Sequence, residues 1–154
     1  MDTQQIIAQV IGIVAMAMNI FSFQCKKQKN IITMQFFGAV LFTVNFFMLD
    51  AITGACLNFI AILRALVYSN KERFHGEKTI WAYLFSALFV ATYPLAFFVF
   101  GKEPTVFNLI IEVLPVIAMV VTTISFQAKH AATVRKLALI GSPLWLVYNC
   151  FCFS

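Results

Sequence analysis

The sequence predicts an all-α, polytopic integral membrane protein with six transmembrane helices. Three observations predict it. Hydrophobic residues make up 62% of the chain and charged residues only 11%, against roughly 45–50% and 25% in soluble domains. No soluble fold covers that much apolar surface, so lipid must be the solvent. Almost all of the 154 residues fall in apolar runs long enough to cross a bilayer, which takes about 20 residues per helix. The runs are also apolar all round, which argues for helices, because a barrel strand would alternate over about ten residues. Residues 1–154 therefore read as a single transmembrane domain with no soluble part.

Taken in order, the first span covers residues 6–23. It lacks a basic leading segment and a small-residue cleavage site, and basic residues follow it, so it is not read as a cleavable signal peptide. The second and third spans, residues 31–49 and 51–69, are joined by a very short turn, Asp50 to Gly54. They must form a tight antiparallel pair. Spans four, five and six cover residues 79–100, 105–126 and 132–153.

Orientation follows from Lys and Arg. Lys26, Lys27 and Lys29 follow span one; Arg64 ends span three, with Lys71, Arg73 and Lys78 after it; Lys129, Arg135 and Lys136 follow span five. That places ten of the eleven basic residues on one side, with Lys102 alone on the other beside Glu103. Loops rich in Lys and Arg stay in the cytoplasm, so the N-terminus and the C-terminus are expected outside. The net charge of +5 thus orients helices and does not point to nucleic acid.

The stretch Ser22-Phe23-Gln24-Cys25-Lys26-Lys27 returns 103 residues later as Ser125-Phe126-Gln127-Ala128-Lys129-His130. Residues 11–50 align with 114–153 without a gap, with nine identities in 40 positions. Composition alone would give about half as many, so an internal repeat is expected. Gly12 occupies the repeat position of Pro115, so both copies are expected to break helix regularity at one place. Proline removes a backbone donor and kinks a helix.

No phosphate-binding glycine loop, nucleophile elbow or HExxH is present, so no catalytic residue, cofactor or enzyme activity is expected. Cys150 and Cys152 have no partner ligands for a metal, and the four cysteines read as small apolar filler. His75 and His130 read as solvated loop residues.

Polar residues inside spans are costly and therefore informative. Asn58 shares a face with Gly54, Ala61 and Ala65, and either glues two helices together or hydrogen-bonds a substrate in a cavity. Gly38, Phe42 and Asn45 lie on one face of span two, and Gly141, Trp145 and Tyr148 repeat the spacing in span six. Such a set can shape a pocket for a polar small molecule; Tyr148 is also placed to be an interfacial anchor. Glu112, just before Pro115, either helps couple a cation or proton beside the kink or snorkels to the outer interface.

At these residues the chain resembles the YgjV-type bacterial inner-membrane proteins along nearly its whole length, including Leu114-Pro115-Val116 and Leu57-Asn58. More distantly it resembles the SWEET, SemiSWEET and PQ-loop (MtN3-like) transporters. That resemblance implies a parallel repeat of three-helix bundles: residues 1–69 as the first, 79–100 as a linker helix, and 105–154 as an incomplete second. Gln24 and Gln127 stand where the PQ motif keeps its glutamine, with Phe23 and Phe126 in place of its proline. Trp145 and Tyr148 resemble a Trp-x-x-Tyr pair, and Asn58 resembles the substrate-facing asparagine of the third helix. A seventh helix is missing because the chain stops at Ser154, as in a shortened or a truncated member. The expectation is an inner-membrane transporter-like protein for a small polar solute. The alternative is a non-transporting scaffold or modulator of a partner membrane protein. The bilayer is the expected partner, with a small polar solute and a second copy of the chain as candidates beside it.

Overall fold

The computed structural model describes residues 3–152. Among these there are seven helices and no strand: α1 Thr3–Ser22, α2 Gln28–Met48, α3 Ile52–Ser69, α4 Lys71–Phe74, α5 Thr79–Phe98, α6 Val106–Gln127 and α7 Ala131–Cys152. The six long helices lie within three residues of the six expected spans; the expected end of the last span, Phe153, falls outside the described residues. Five of them, α1, α2, α3, α5 and α6, are long and apolar enough to cross a membrane. α7 is not among the five: its second turn carries Arg135 and Lys136, and Ser142, Pro143 and Asn149 follow. The single turn α4 had no counterpart among the expected spans. Four residues in a charged loop carry no apolar period for a reading of the sequence to detect.

Local chemistry sets the connections. α2 turns into α3 within three residues. Asp50 adopts φ 56°, the left-handed region that Asp tolerates better than most residues. The Ala51 N–H then donates to the Phe46 carbonyl at 2.9 Å, closing the end of α2. Gly54 in the first turn of α3 lies flat on the Phe46 ring, where a Cβ would come within 3.0 Å of it. α6 is capped by Thr105, whose hydroxyl accepts from the Asn108 backbone N–H.

α2 lies between α1 and α3, and α6 lies between α5 and α7. α3 packs on α5 and α6, and α2 touches α7 over a short patch. α3 is thus the central helix, with buried residues along its length from Thr53 to Tyr68. The flank helices are apolar outside as well as inside. Ile13 and Phe21 on α1, Tyr83 and Phe98 on α5, and Leu139 on α7 are all exposed, as a lipid-facing surface requires.

The hairpins α1–α2 and α6–α7 share a burial register. Ala8, Gly12, Ala15 and Ser22 are buried on α1, and the residues 103 positions on, Ile111, Pro115, Ala118 and Ser125, are buried on α6. Ile31, Gly38 and Asn45 on α2 correspond in the same way to Val134, Gly141 and Tyr148 on α7. Seven-residue spacing on each helix keeps one seam against its neighbour. Ser22 Oγ donates to the Asn19 carbonyl at 2.6 Å, and Ser125 Oγ donates to the Thr122 carbonyl at 2.6 Å.

Three linkers gather at one end. Arg135 donates to the Cys25 carbonyl, Gln28 to the carbonyls of Phe126 and Ala128, and Gln127 to the Lys78 carbonyl. The basic loops are therefore together. Arg64 is the exception, and it does not belong to the loop set. It lies five residues inside the end of α3 and is buried, so nine of the ten residues first assigned to that side lie at the end of the bundle. The α6–α7 linker is short because α6 ends at Gln127 and α7 begins at Ala131.

Candidate functional site

The junction between α2 and α7 is aromatic. Phe42 stacks on Phe46 with ring centroids 5.8 Å apart. Phe46 meets Trp145 at 6.0 Å and Tyr148 at 6.0 Å, and Trp145 and Tyr148 contact edge to face at 5.6 Å. Ala55, Ile111 and Leu114 close the cluster from α3 and α6. The i, i+3 and i+4 spacings deliver these rings: Phe42 and Phe46 are one turn apart on α2, and Trp145 and Tyr148 one turn apart on α7. Phe42, Trp145 and Tyr148, singled out from the sequence, are thus brought together. Tyr148 is buried, 1% exposed, which removes the interfacial-anchor reading, since an anchor keeps its polar tip at the headgroups. Phe46 joins them without having been singled out from the sequence.

Asn45 faces the other way, into the α1–α2 hairpin. Its Nδ2 donates to the Ala8 carbonyl at 2.6 Å, and it lies over Gly12, where a Cβ would come within 3.0 Å of that nitrogen. The Asn45 Oδ1 is buried without a donor among the described residues. Gly12 therefore supplies room for an amide. α1 continues through Gly12, and α6 continues through Pro115.

Asn58 is buried and donates to the Gly54 carbonyl of its own helix at 2.9 Å. Its amide thus neither crosses to another helix nor joins the aromatic cluster directly. It sits one turn behind the glycine that seats Phe46.

Glu112 is fully buried on α6 and pairs with Lys102. The snorkelling reading is corrected: the carboxylate does not reach outward, and the longer Lys102 side chain, about one-third exposed, reaches inward to it. Glu112 Oε2 is left without a donor among the described residues.

Arg64, which the sequence puts at the end of span three, lies five residues inside the end of α3. It is 4% exposed. Nη1 donates to the Met119 carbonyl and to Thr123 Oγ1, both at 3.0 Å. The guanidinium lies over Phe89 at 5.1 Å and Phe126 at 4.8 Å. A planar cation suits that slot between two rings, and a point charge would not. No carboxylate pairs with it among the described residues. Its one sequence signal was that Phe126 belongs to the repeated Ser-Phe-Gln stretch.

Two cavities flank these features. One, about 220 Å³, is lined by Gln28, Lys29, Ile32, Tyr68, Lys71 and Arg73 among others. The other is a wholly apolar groove of about 300 Å³ between α5 and α6, bordered by Val90, Tyr93 and Val116. Neither is lined by the residues singled out from the sequence. No group of three metal-ligating side chains occurs among the described residues.

No curated protein and no solved structure matches the chain. Residues 6–154 match Imp-YgjV, described as bacterial inner membrane protein. The several long apolar helices agree with a multi-pass protein of that membrane. The chain belongs to the Imp-YgjV family of bacterial inner membrane proteins.

Proposed function

We propose that the chain is a non-enzymatic, transporter-like protein that binds a small polar solute where its two hairpins meet. The observation that supports this reading is the cluster of Phe42, Phe46, Trp145 and Tyr148 at the α2–α7 junction. Aromatic faces take up the apolar face of a polar ring, and nearby amides and carboxylates fix its orientation. Glu112 holds a buried oxygen with no donor among the described residues, and a solute rich in hydroxyl groups supplies one, while Asn45, turned into the α1–α2 hairpin, does not line the junction. In this reading the packed rings are the closed form, and Asn58 releases the Gly54 carbonyl to meet the solute when α2 and α7 part. The Lys102–Glu112 pair couples a cation or proton by exchanging it for the lysine.

The membrane arrangement in this reading has six spans, α7 included, with both termini outside and the basic linkers in the cytoplasm. α1–α2 and α6–α7 are copies related by an axis along the membrane normal, with α5 as the linker helix. The shared burial register and the matching Ser22 and Ser125 hydrogen bonds support it. SWEET-type parallel repeats are built that way.

The test is a screen of sugars, nucleosides and vitamins for thermal stabilisation of the purified protein. A solute at 100 times its Kd adds about 2.7 kcal/mol. Asn58→Leu keeps the protein inserted, since leucine is cheaper in lipid, and loses the stabilisation and about ten-fold of uptake at limiting solute. No stabilisation by any solute favours the scaffold reading.

A further inference from the structure

We propose that the cavity at the basic end of the bundle is a phosphate site for the headgroup of an anionic phospholipid. Its floor is apolar, from Ile32 and the buried ring of Tyr68. Its walls carry Lys29, Lys71 and Arg73 against one carboxylate, Glu72, so three positive charges less one negative leave it at +2. None of the three cations pairs with a carboxylate among the described residues.

Lys71 is fixed in place. Its Nζ donates to Gln28 Oε1 at 3.3 Å and to the Phe126 carbonyl at 3.1 Å, and it lies 5.9 Å from the Tyr68 ring centroid. Both of its oxygen partners are neutral, and no carboxylate forms an ion pair with it among the described residues. Burial lowers the Lys71 pKa, and the Glu77 carboxylate partly restores it. Lys29 and Arg73 sit at the rim and are exposed.

Size and position select the ligand. At about 220 Å³ the cavity is smaller than the roughly 300–1,000 Å³ typical of small-molecule sites, but it admits a phosphodiester. It lies where α2 begins and α3 ends, between helices long enough to cross the bilayer. Basic pockets between spans at that depth take up anionic headgroups, with the acyl chains lying along the apolar faces. The site is separate from the α2–α7 junction and stands without the solute reading.

The test titrates short-chain phosphatidylglycerol into the purified full chain in neutral detergent and follows Tm, with short-chain phosphatidylcholine as control. The expected result is a saturable rise with the first lipid only. Lys29→Gln with Arg73→Gln should weaken the apparent affinity by about five-fold for each charge removed, with Lys71→Gln weakening it further. Lys26→Gln with Lys129→Gln removes the same charge from exposed positions outside the cavity, and should leave the affinity unchanged. Inorganic phosphate giving the same saturable rise at the same residues would overturn the lipid assignment and keep the phosphate one. Equal weakening in both double variants, or no rise with phosphatidylglycerol, would overturn the site. Should the Lys71 variant fail to fold, the two rim residues alone decide.

Discussion

Gly38 on α2 is seated directly on the Asn19 side chain of α1, where a Cβ would lie 2.8 Å from Oδ1. Seven residues along, Asn45 of α2 sits on Gly12 of α1, where a Cβ would lie 3.0 Å from Nδ2. The hairpin is thus closed twice by a glycine against an amide, in opposite directions. Small residues allow the close approach, and the Asn45 amide finds a partner in the Ala8 carbonyl. In the other hairpin the corresponding Gly141 has more room: its nearest neighbours, the Ala118 carbonyl and Thr122 Oγ1, would be 3.6 Å from a Cβ.

Alanine at each glycine should separate the two hairpins. Both substitutions gain the same helix propensity, about 1 kcal/mol, so the difference reports the contact. Gly38→Ala must displace the Asn19 amide and should end about 1–3 kcal/mol less stable than Gly141→Ala. Thermal unfolding in detergent measures it, and equal stabilities would show that the Gly38 seat is not tight.

Lys102 and Glu112 should not be equivalent when removed. Lys102→Ala leaves a fully buried carboxylate alone and should cost about 3–5 kcal/mol. Glu112→Gln leaves a partly exposed lysine that water can reach, and should cost about 1–2 kcal/mol. Equal costs in a stability assay would mean that the carboxylate is not buried as described.

Arg64 invites a double-mutant cycle with Thr123. Thr123→Val takes away one acceptor of a buried guanidinium and should cost about 1.5–3 kcal/mol. Arg64→Met fills the slot between Phe89 and Phe126 with an apolar chain, and such replacements of buried ions are often neutral or stabilising. In the Arg64→Met background Thr123→Val should then cost about 1 kcal/mol less. Additive costs would remove the hydrogen bond from the account.

The long helices were legible because lipid imposes one requirement on the chain, an unbroken apolar run, and the runs announce themselves. Apart from the α2–α3 pair, which its short turn dictates, pairings across the bundle were legible only where the repeat supplied a second copy. Phe42, Trp145 and Tyr148 were found because Gly38 and Gly141 gave them a common frame. The burial of Arg64 was not legible, because a cation near the end of an apolar run looks like a boundary residue. Its partners Met119 and Thr123 are more than 50 residues away, and no local pattern links them. Asn58 shows the opposite limit. Its small-residue face marked a packed helix correctly, but one sequence does not say whether an amide turns to a neighbour or to its own backbone.

Membrane topology can be read from outside the cell. With the native cysteines replaced, a cysteine at position 102 should be labelled by an impermeant reagent in intact cells, and one at position 27 should not. The warrant is the gathering of the basic linkers at one end, joined by the Arg135 contact with Cys25 and the Gln127 contact with Lys78. Labelling at 27 and protection at 102 would invert the molecule.

The most direct test of a solute site between α2 and α7 uses tryptophan fluorescence. The chain has two tryptophans, Trp145 in the aromatic cluster and Trp81, which stacks on Phe85 at 5.9 Å away from it. Trp81→Phe leaves Trp145 as the sole reporter. A solute that stabilises the protein should change its emission saturably, with the midpoint that the thermal shift gives. The Trp145→Phe protein, reporting from Trp81 alone, should stay silent. No saturable change from Trp145 with a stabilising solute, or an equal change from Trp81, would contradict a site at this junction.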